Sequence, residues 1–230
     1  MKRIFSNLDL NKVTRFLISF YVIGVIGMAL PWTSAVFRFL TPFSLLMCFG
    51  LLAYFHESKP TTRSWLLYLL VMVVGYAAEV IGVATGIVFG AYEYGQGLGV
   101  KVLDVPLILG PNWLFLVYAS SRVADGLLSH KPFNQTNKPI AKAYLGVLQI
   151  ILGSLVMVAY DLIAEQVAPK LDLWTFEAES VPLQNYLAWF GLAVIFHTLF
   201  RLFKVPTGNP LSTRLLLLQA LFFVVLALLL

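Results

Sequence analysis

Charge is scarce in this chain. Only 12% of its 230 residues are Asp, Glu, Lys or Arg, where an ordinary soluble domain carries about 25%. With 60% of residues hydrophobic, a soluble fold of this size has too little interior to hide the apolar surface. Cysteine is nearly absent. A lone Cys48 in an apolar run supports neither a disulfide framework nor a thiol pair for metal; it reads as a small core or lipid-facing residue. Histidine is equally sparse. His56 and His130 fall in loops, His197 lies in an apolar run, and no two are spaced as ligands, so no metal site is expected. No nucleophile elbow supports Ser/His/Asp hydrolysis. The glycine-rich stretch from Phe89 to Gly99 lacks the Lys-Ser/Thr pair and the preceding strand of a phosphate loop. Its glycines serve backbone conformations that other residues resist. The net charge of +5 does not indicate nucleic acid, because the basic residues flank apolar runs and form no stripe.

What the chain does have is apolar runs of membrane length. Seven are counted, at about 13–31, 36–55, 64–86, 105–123, 141–164, 183–203 and 211–230. Each is near the roughly 20 residues that cross a bilayer core. The expected fold is all-α, an integral membrane bundle of about seven transmembrane helices in one domain, 1–230. The first run follows Lys2, Arg3, Lys12 and Arg15, as a signal peptide would. It is long for one, and Leu30-Pro31-Trp32 offers no small-x-small cleavage pattern, so it reads as a retained span. With a cytoplasmic N-terminus, 13 basic residues fall inside and 3 outside (Arg38, Lys101 and Lys170). That asymmetry predicts a multi-pass protein of the cell (inner) membrane, N-terminus in the cytoplasm and C-terminus outside. The outer segment 87–104 is rich in Gly and Tyr. The outer segment 165–182 mixes acids with Trp174 and Phe176, as expected of a loop at the interface or folded over a site mouth. The inner segment 124–140 reads as a solvated loop. No soluble domain and no internal repeat is evident.

Three carboxyls stand out within or beside these runs. An Asp at the centre of a membrane helix costs roughly 2.5–3.5 kcal/mol on the insertion scale, so such groups usually persist for a purpose. Glu79 lies between Gly75 and Gly82, with Gly86 following on the same stripe, where small residues let a neighbouring helix approach. It reads as a proton carrier facing the bundle interior, or as a structural hydrogen-bond partner. Asp161 and Glu165 are one helical turn apart and share a face. Two carboxyls so close in low dielectric do not both ionise cheaply, which gives an acid and a base from one chemistry. The alternative for Glu165 is a solvated position beyond the span. Tyr92 and Tyr94 offer phenols to a site, or belong to an interfacial aromatic belt. Pro106, Gly110 and Pro111 are expected to interrupt or kink the fourth span. Asn112 beside them either orients a water or carboxylate or belongs to a helix-start device.

These blocks together resemble the bacterial and archaeal carotenoid biosynthesis membrane protein family, which includes the carotenoid 1′,2′-hydratases. The resemblance covers roughly 64–203. It rests on Glu79, Gly82, Gly86, Phe89-Gly90, Tyr92 and Tyr94, then Val105-Pro106-Leu107 with Asn112-Trp113. It continues with Asp161, the acid at 165, Trp174, and Val181-Pro182-Leu183-Gln184-Asn185-Tyr186 with Trp189. One departure is Glu165-Gln166, where the family commonly has Asp-Pro. The resemblance implies addition of water across the terminal C=C of an acyclic carotenoid, without cofactor or metal. Glu79, Asp161 and Glu165 would be the acid–base groups. Tyr92, Asn112 and Asn185 would orient, and Tyr94, Trp113, Trp174 and Trp189 would complete the substrate site. The implied partners are an acyclic carotenoid, the lipid bilayer and other enzymes of the same pathway. The competing expectations are an end-group cyclase or isomerase, which protonates without capturing water, and a non-catalytic lipid or pigment transporter.

Overall fold

The computed structural model describes residues 8–128 and 139–230. The fold is all-α, and the described residues form seven helices: α1 (Leu10–Ala29), α2 (Pro31–Tyr54), α3 (Thr62–Thr85), α4 (Leu109–Leu128), α5 (Pro139–Glu165), α6 (Leu183–Leu202) and α7 (Ser212–Leu229). Six of them are long and apolar enough to cross a membrane. The exception, α4, carries Asn112, Ser120, Ser121, Arg122 and Asp125. It is the central helix, packed against α2, α3, α5, α6 and α7. A more polar sequence is tolerated there because neighbours, not lipid, cover it. Ser120 and Ser121 bond the two ring nitrogens of His197, at 3.2 and 2.8 Å. Asp125 pairs with Arg201. The outward faces are apolar, as at Trp65, Leu66, Leu69 and Val73 on α3.

Local signals set the helix ends. Asp9 caps α1 by accepting from the amides of Asn11 and Lys12, and Thr61 caps α3 through the amide of Ser64. Leu30 alone separates α1 from α2. Pro31 opens α2, where the missing N–H has no cost, and the Thr33 hydroxyl bonds back to the Gly27 carbonyl. Gly86 ends α3 in the left-handed conformation, φ 67°.

Among the described residues, four short strands, which the helical reading did not include, organise one end of the bundle. β1 (Tyr92–Tyr94) pairs antiparallel with β4 (Trp174–Phe176), Tyr92 opposite Phe176 and Tyr94 opposite Trp174. β2 (Lys101–Val102) and β3 (Val105–Pro106) form a tight hairpin turned by Leu103 and Asp104, both at positive φ. The amides of Gly95 and Gly97 donate to the carbonyls of Leu173 and Asp172, at 2.9 and 2.8 Å. The backbones approach so closely there that a side chain at Gly95 would enter Asp172. The 86–108 and 166–182 segments are therefore stitched into one cap over the helix ends.

Three expectations are corrected. The fourth span does not start as a helix at 105: Pro106 sits in β3, the helix begins only at Leu109, and Pro111 lies in its first turn, where a missing N–H is harmless. The glycine stripe of α3 does not serve one neighbouring helix. Gly75 faces Trp113, Gly82 faces Phe89 and Tyr92 of the cap, and Gly86 is the helix end. The segment 124–140 is not loop throughout, because α4 runs on to Leu128 and α5 starts at Pro139. The expectations for Lys2, Arg3, His130, Lys131 and Lys138 lie outside the described residues.

Candidate active site

Glu79 sits late in α3 and is 4% exposed. Its carboxyl accepts from the Tyr92 hydroxyl at 2.6 Å, the Tyr94 hydroxyl at 2.8 Å and the Trp113 indole N–H at 2.9 Å. Three donors aimed at one side chain suit a carboxylate, which only accepts. The two glycines that flank Glu79 make this possible. A Cβ at Gly75 would lie 2.5 Å from Cγ of Trp113. One at Gly82 would lie 2.7 Å from Cδ2 of Phe89 and 3.0 Å from the Tyr92 hydroxyl. Both glycines thus leave room for the side chains around the acid. Strand alternation does the rest: Tyr92 and Tyr94 point inward while Glu93 between them faces out. Neither phenol belongs to an interfacial belt, since both are buried. Burial, and then the charge of Glu79, pushes both phenols above their ordinary value. They stay protonated and act as donors.

Asp161 and Glu165 end α5, 2% and 8% exposed, so Glu165 is not a solvated residue. The Asn185 amide, from the first turn of α6, donates to Asp161 Oδ2 at 2.8 Å and to Glu165 Oε1 at 3.4 Å. The Trp174 indole of β4 donates to Glu165 Oε2 at 2.9 Å. The three acids are therefore held unequally. Glu79 accepts from three side chains and Glu165 from two. Asp161 accepts from Asn185 alone among the described residues.

A cavity of about 50 Å³ joins these groups. Glu79, Asp161 and Glu165 all line it. So do Tyr92, Tyr94, Asn112, Trp113, Trp174, Asn185 and Trp189, so all ten residues singled out in the sequence meet at one place. Trp113 and Trp189 stack with centroids 4.3 Å apart. Asn112 makes no side-chain hydrogen bond among the described residues, which leaves its amide available to a guest. One water needs about 10–15 Å³ of such space. The cavity thus has room for a few waters or one small branched group.

The lining also includes residues that the sequence did not single out as site residues: Phe89, Leu109, Tyr160, Ala164 and Phe176. Phe176 was recoverable, since it follows Trp174 by two in an alternating segment. Tyr160 precedes Asp161 directly, and nothing local distinguishes it from other apolar positions of α5. Among the described residues, no group of three or more His, Cys, Asp or Glu side chains is arranged to hold a metal ion.

A family model described as carotenoid biosynthesis protein matches residues 39–230, and the chain belongs to that family. The match includes every residue that lines this cavity. No curated protein and no solved structure matches the chain.

Proposed function

We propose that this carotenoid-pathway membrane protein is a carotenoid 1′,2′-hydratase, a hydro-lyase that adds water to the terminal C=C of an acyclic carotenoid. One observation carries the reading: three buried carboxyls from two helices converge, with tryptophans and tyrosines, on one small cavity. Alkene hydration needs a proton donor, a water with a base beside it, and surroundings that tolerate a cation.

Asp161 is the proposed acid, because it has the fewest hydrogen-bond partners of the three. Its proton adds to the less substituted alkene carbon and leaves a tertiary cation on the neighbouring carbon. Water attacks that carbon and gives up a proton to Glu165, forming the tertiary alcohol. Glu165 ends protonated and Asp161 ionised. Proton return between them resets the site, since both sit one turn apart against the same Asn185 amide. The Glu79 carboxylate and the stacked faces of Trp113 and Trp189 oppose the developing positive charge. Asn112 and Asn185 orient the water. The steps use only proton transfer by these side chains.

Cyclisation would begin with the same protonation but must keep water from the cation. Free polar capacity at Asp161 and Asn112 favours water capture instead. A transporter would call for paired broken helices in matching halves of the chain, and no internal repeat is evident in the sequence. Among the described residues α4 runs unbroken from Leu109 to Leu128, so the fourth span does not supply one of such a pair. The proposed orientation puts the capped end outside and the N-terminus in the cytoplasm of a cell that carries the protein in its inner membrane. The test is pigment analysis of a host that makes an acyclic carotenoid. A tertiary alcohol supports hydration, a ring supports cyclisation, and unchanged pigment removes both.

A further inference from the structure

A second cavity, larger than the acid chamber, lies beside it. It encloses about 180 Å³ between α1, α2 and α7 under the cap. Its wall is mostly apolar and strongly aromatic, with Phe20, Phe37, Phe222 and Phe223. Two of the tyrosines along it have their hydroxyls engaged. The Tyr160 hydroxyl donates to Gln219 Oε1 at 3.2 Å, and the Tyr21 hydroxyl lies 3.3 Å from Cys48 Sγ.

Two features give this cavity a direction. At its inner end it shares Leu109, Asn112, Tyr160, Ala164 and Trp174 with the acid chamber. At its outer end its lining includes Ile23 of α1 and Leu40 of α2, which are 58% and 42% exposed on the outside of the bundle. The mouth therefore opens between α1 and α2 onto the face that lipid covers. Gly24 keeps the passage wide, since a Cβ there would lie 3.2 Å from the Phe222 ring.

The geometry points to this α1–α2–α7 cavity as the stem channel for a linear polyene isoprenoid, whose end group reaches the acid chamber and whose remainder leaves through the α1–α2 mouth. The inference rests on the proposed hydration only for the identity of the substrate. Size supports it. An apolar cavity of about 150 Å³ takes a benzene-sized guest, so this one holds only the part of a long chain next to its end. The rest must lie outside, in lipid. Shape supports it too. Flat aromatic rings along the wall suit a flat conjugated chain better than a flexible saturated one. Discrimination between acyclic carotenoids then falls to α1 and α2, away from the acids.

The experiment uses the full-length protein in phosphatidylcholine nanodiscs, with lycopene as the probe. The readout is circular dichroism induced in the polyene band, which an immobilised polyene gives and a free one does not. Wild type is expected to give a saturable band. Gly24→Leu and Thr41→Trp, which fill the channel from α1 and α2, are expected to weaken binding at least tenfold. Leu66→Trp, on the lipid-facing side of α3, is expected to bind as wild type. Thr41→Leu replaces the larger variant if that one does not fold, as judged by its thermal transition. Wild-type-like binding in the folded filling variants overturns the channel. So does a missing band in wild type, or displacement of lycopene by a phospholipid with long saturated chains. The two proposals fail separately. Binding that the filling variants weaken, with no alcohol formed by wild type, keeps the channel and removes hydration. Alcohol formed equally by wild type and filling variants, with unchanged binding, keeps hydration and removes the channel.

Discussion

The Asn185 side chain donates to Asp161 at 2.8 Å across the α5–α6 interface, and both residues are buried. The same amide reaches Glu165 at 3.4 Å, so one neutral side chain spans both members of the carboxyl pair. Asn185→Leu removes that bridge. Turnover of an acyclic carotenoid is expected to fall about 10²-fold or more, because the loss acts on proton transfer and not on chain binding. Binding of lycopene should stay within a few-fold of wild type, and Asn185→Gln should recover part of the rate. Equal losses of binding and turnover would make Asn185 a packing residue only.

Glu79→Gln keeps size and polarity but presents an amide to three donors. The proposed cation then loses its opposing charge. Turnover should fall about 10²–10³-fold, with the protein still folded in the membrane. Tyr92→Phe removes one of the three bonds and should cost less rate than Glu79→Gln. A larger loss from Tyr92→Phe would mean that the phenol acts on the substrate directly.

The glycines beside Glu79 test the geometry independently of chemistry. Gly75→Ala places a methyl group 2.5 Å from Cγ of Trp113, and the indole must move away from Glu79. Overpacking of this kind costs about 1–3 kcal/mol, to be read as a lowered thermal midpoint. Gly146→Ala on α5, where a Cβ meets open space, should not lower the midpoint and should raise it slightly, because alanine favours a helix interior.

Alkaline pH should weaken the cap. The Tyr92 and Tyr94 phenols are raised by burial and by the Glu79 charge, so folding favours their protonated form. Their contribution is fully present below the unfolded phenol value, about 10. It is lost as pH rises from there toward the folded value. Thermal midpoints should drop above about pH 10 in wild type, and the drop should be smaller in the Tyr92→Phe, Tyr94→Phe double variant.

The apolar runs were legible because lipid demands them: six helices satisfy both length and apolarity. The start of α4 was not. Val105 and Pro106 are apolar enough to extend the run, yet they belong to a hairpin whose turn is Leu103-Asp104, without the glycine that normally announces one. The β1–β4 pairing joins segments about eighty residues apart and has no local signal. The ten expected site residues meet at one cavity because polar or aromatic groups stand out within apolar runs and their flanking segments. Phe89 and Tyr160 line the same cavity but blend into an apolar background. The larger cavity was wholly hidden, since it depends on how α1, α2 and α7 pack and not on any residue that looks unusual.

The proposed orientation rests on the distribution of basic residues and is tested by reporter fusions. Reporter fusions at Pro60 and Thr207 should read cytoplasmic, and fusions at Gly95 and Thr175 should read outside. A cytoplasmic signal at Thr175 would reverse the placement of the cap and its acid chamber.

The most direct measurement is conversion of lycopene by wild type, Asp161→Asn and Glu79→Gln proteins in isotopically labelled water. The account predicts a tertiary alcohol from wild type with its new oxygen labelled. It predicts product lower by about 10²-fold or more in each variant at equal protein in the membrane. Wild-type alcohol without label, no alcohol at all, or near-equal labelled product from both variants would contradict it.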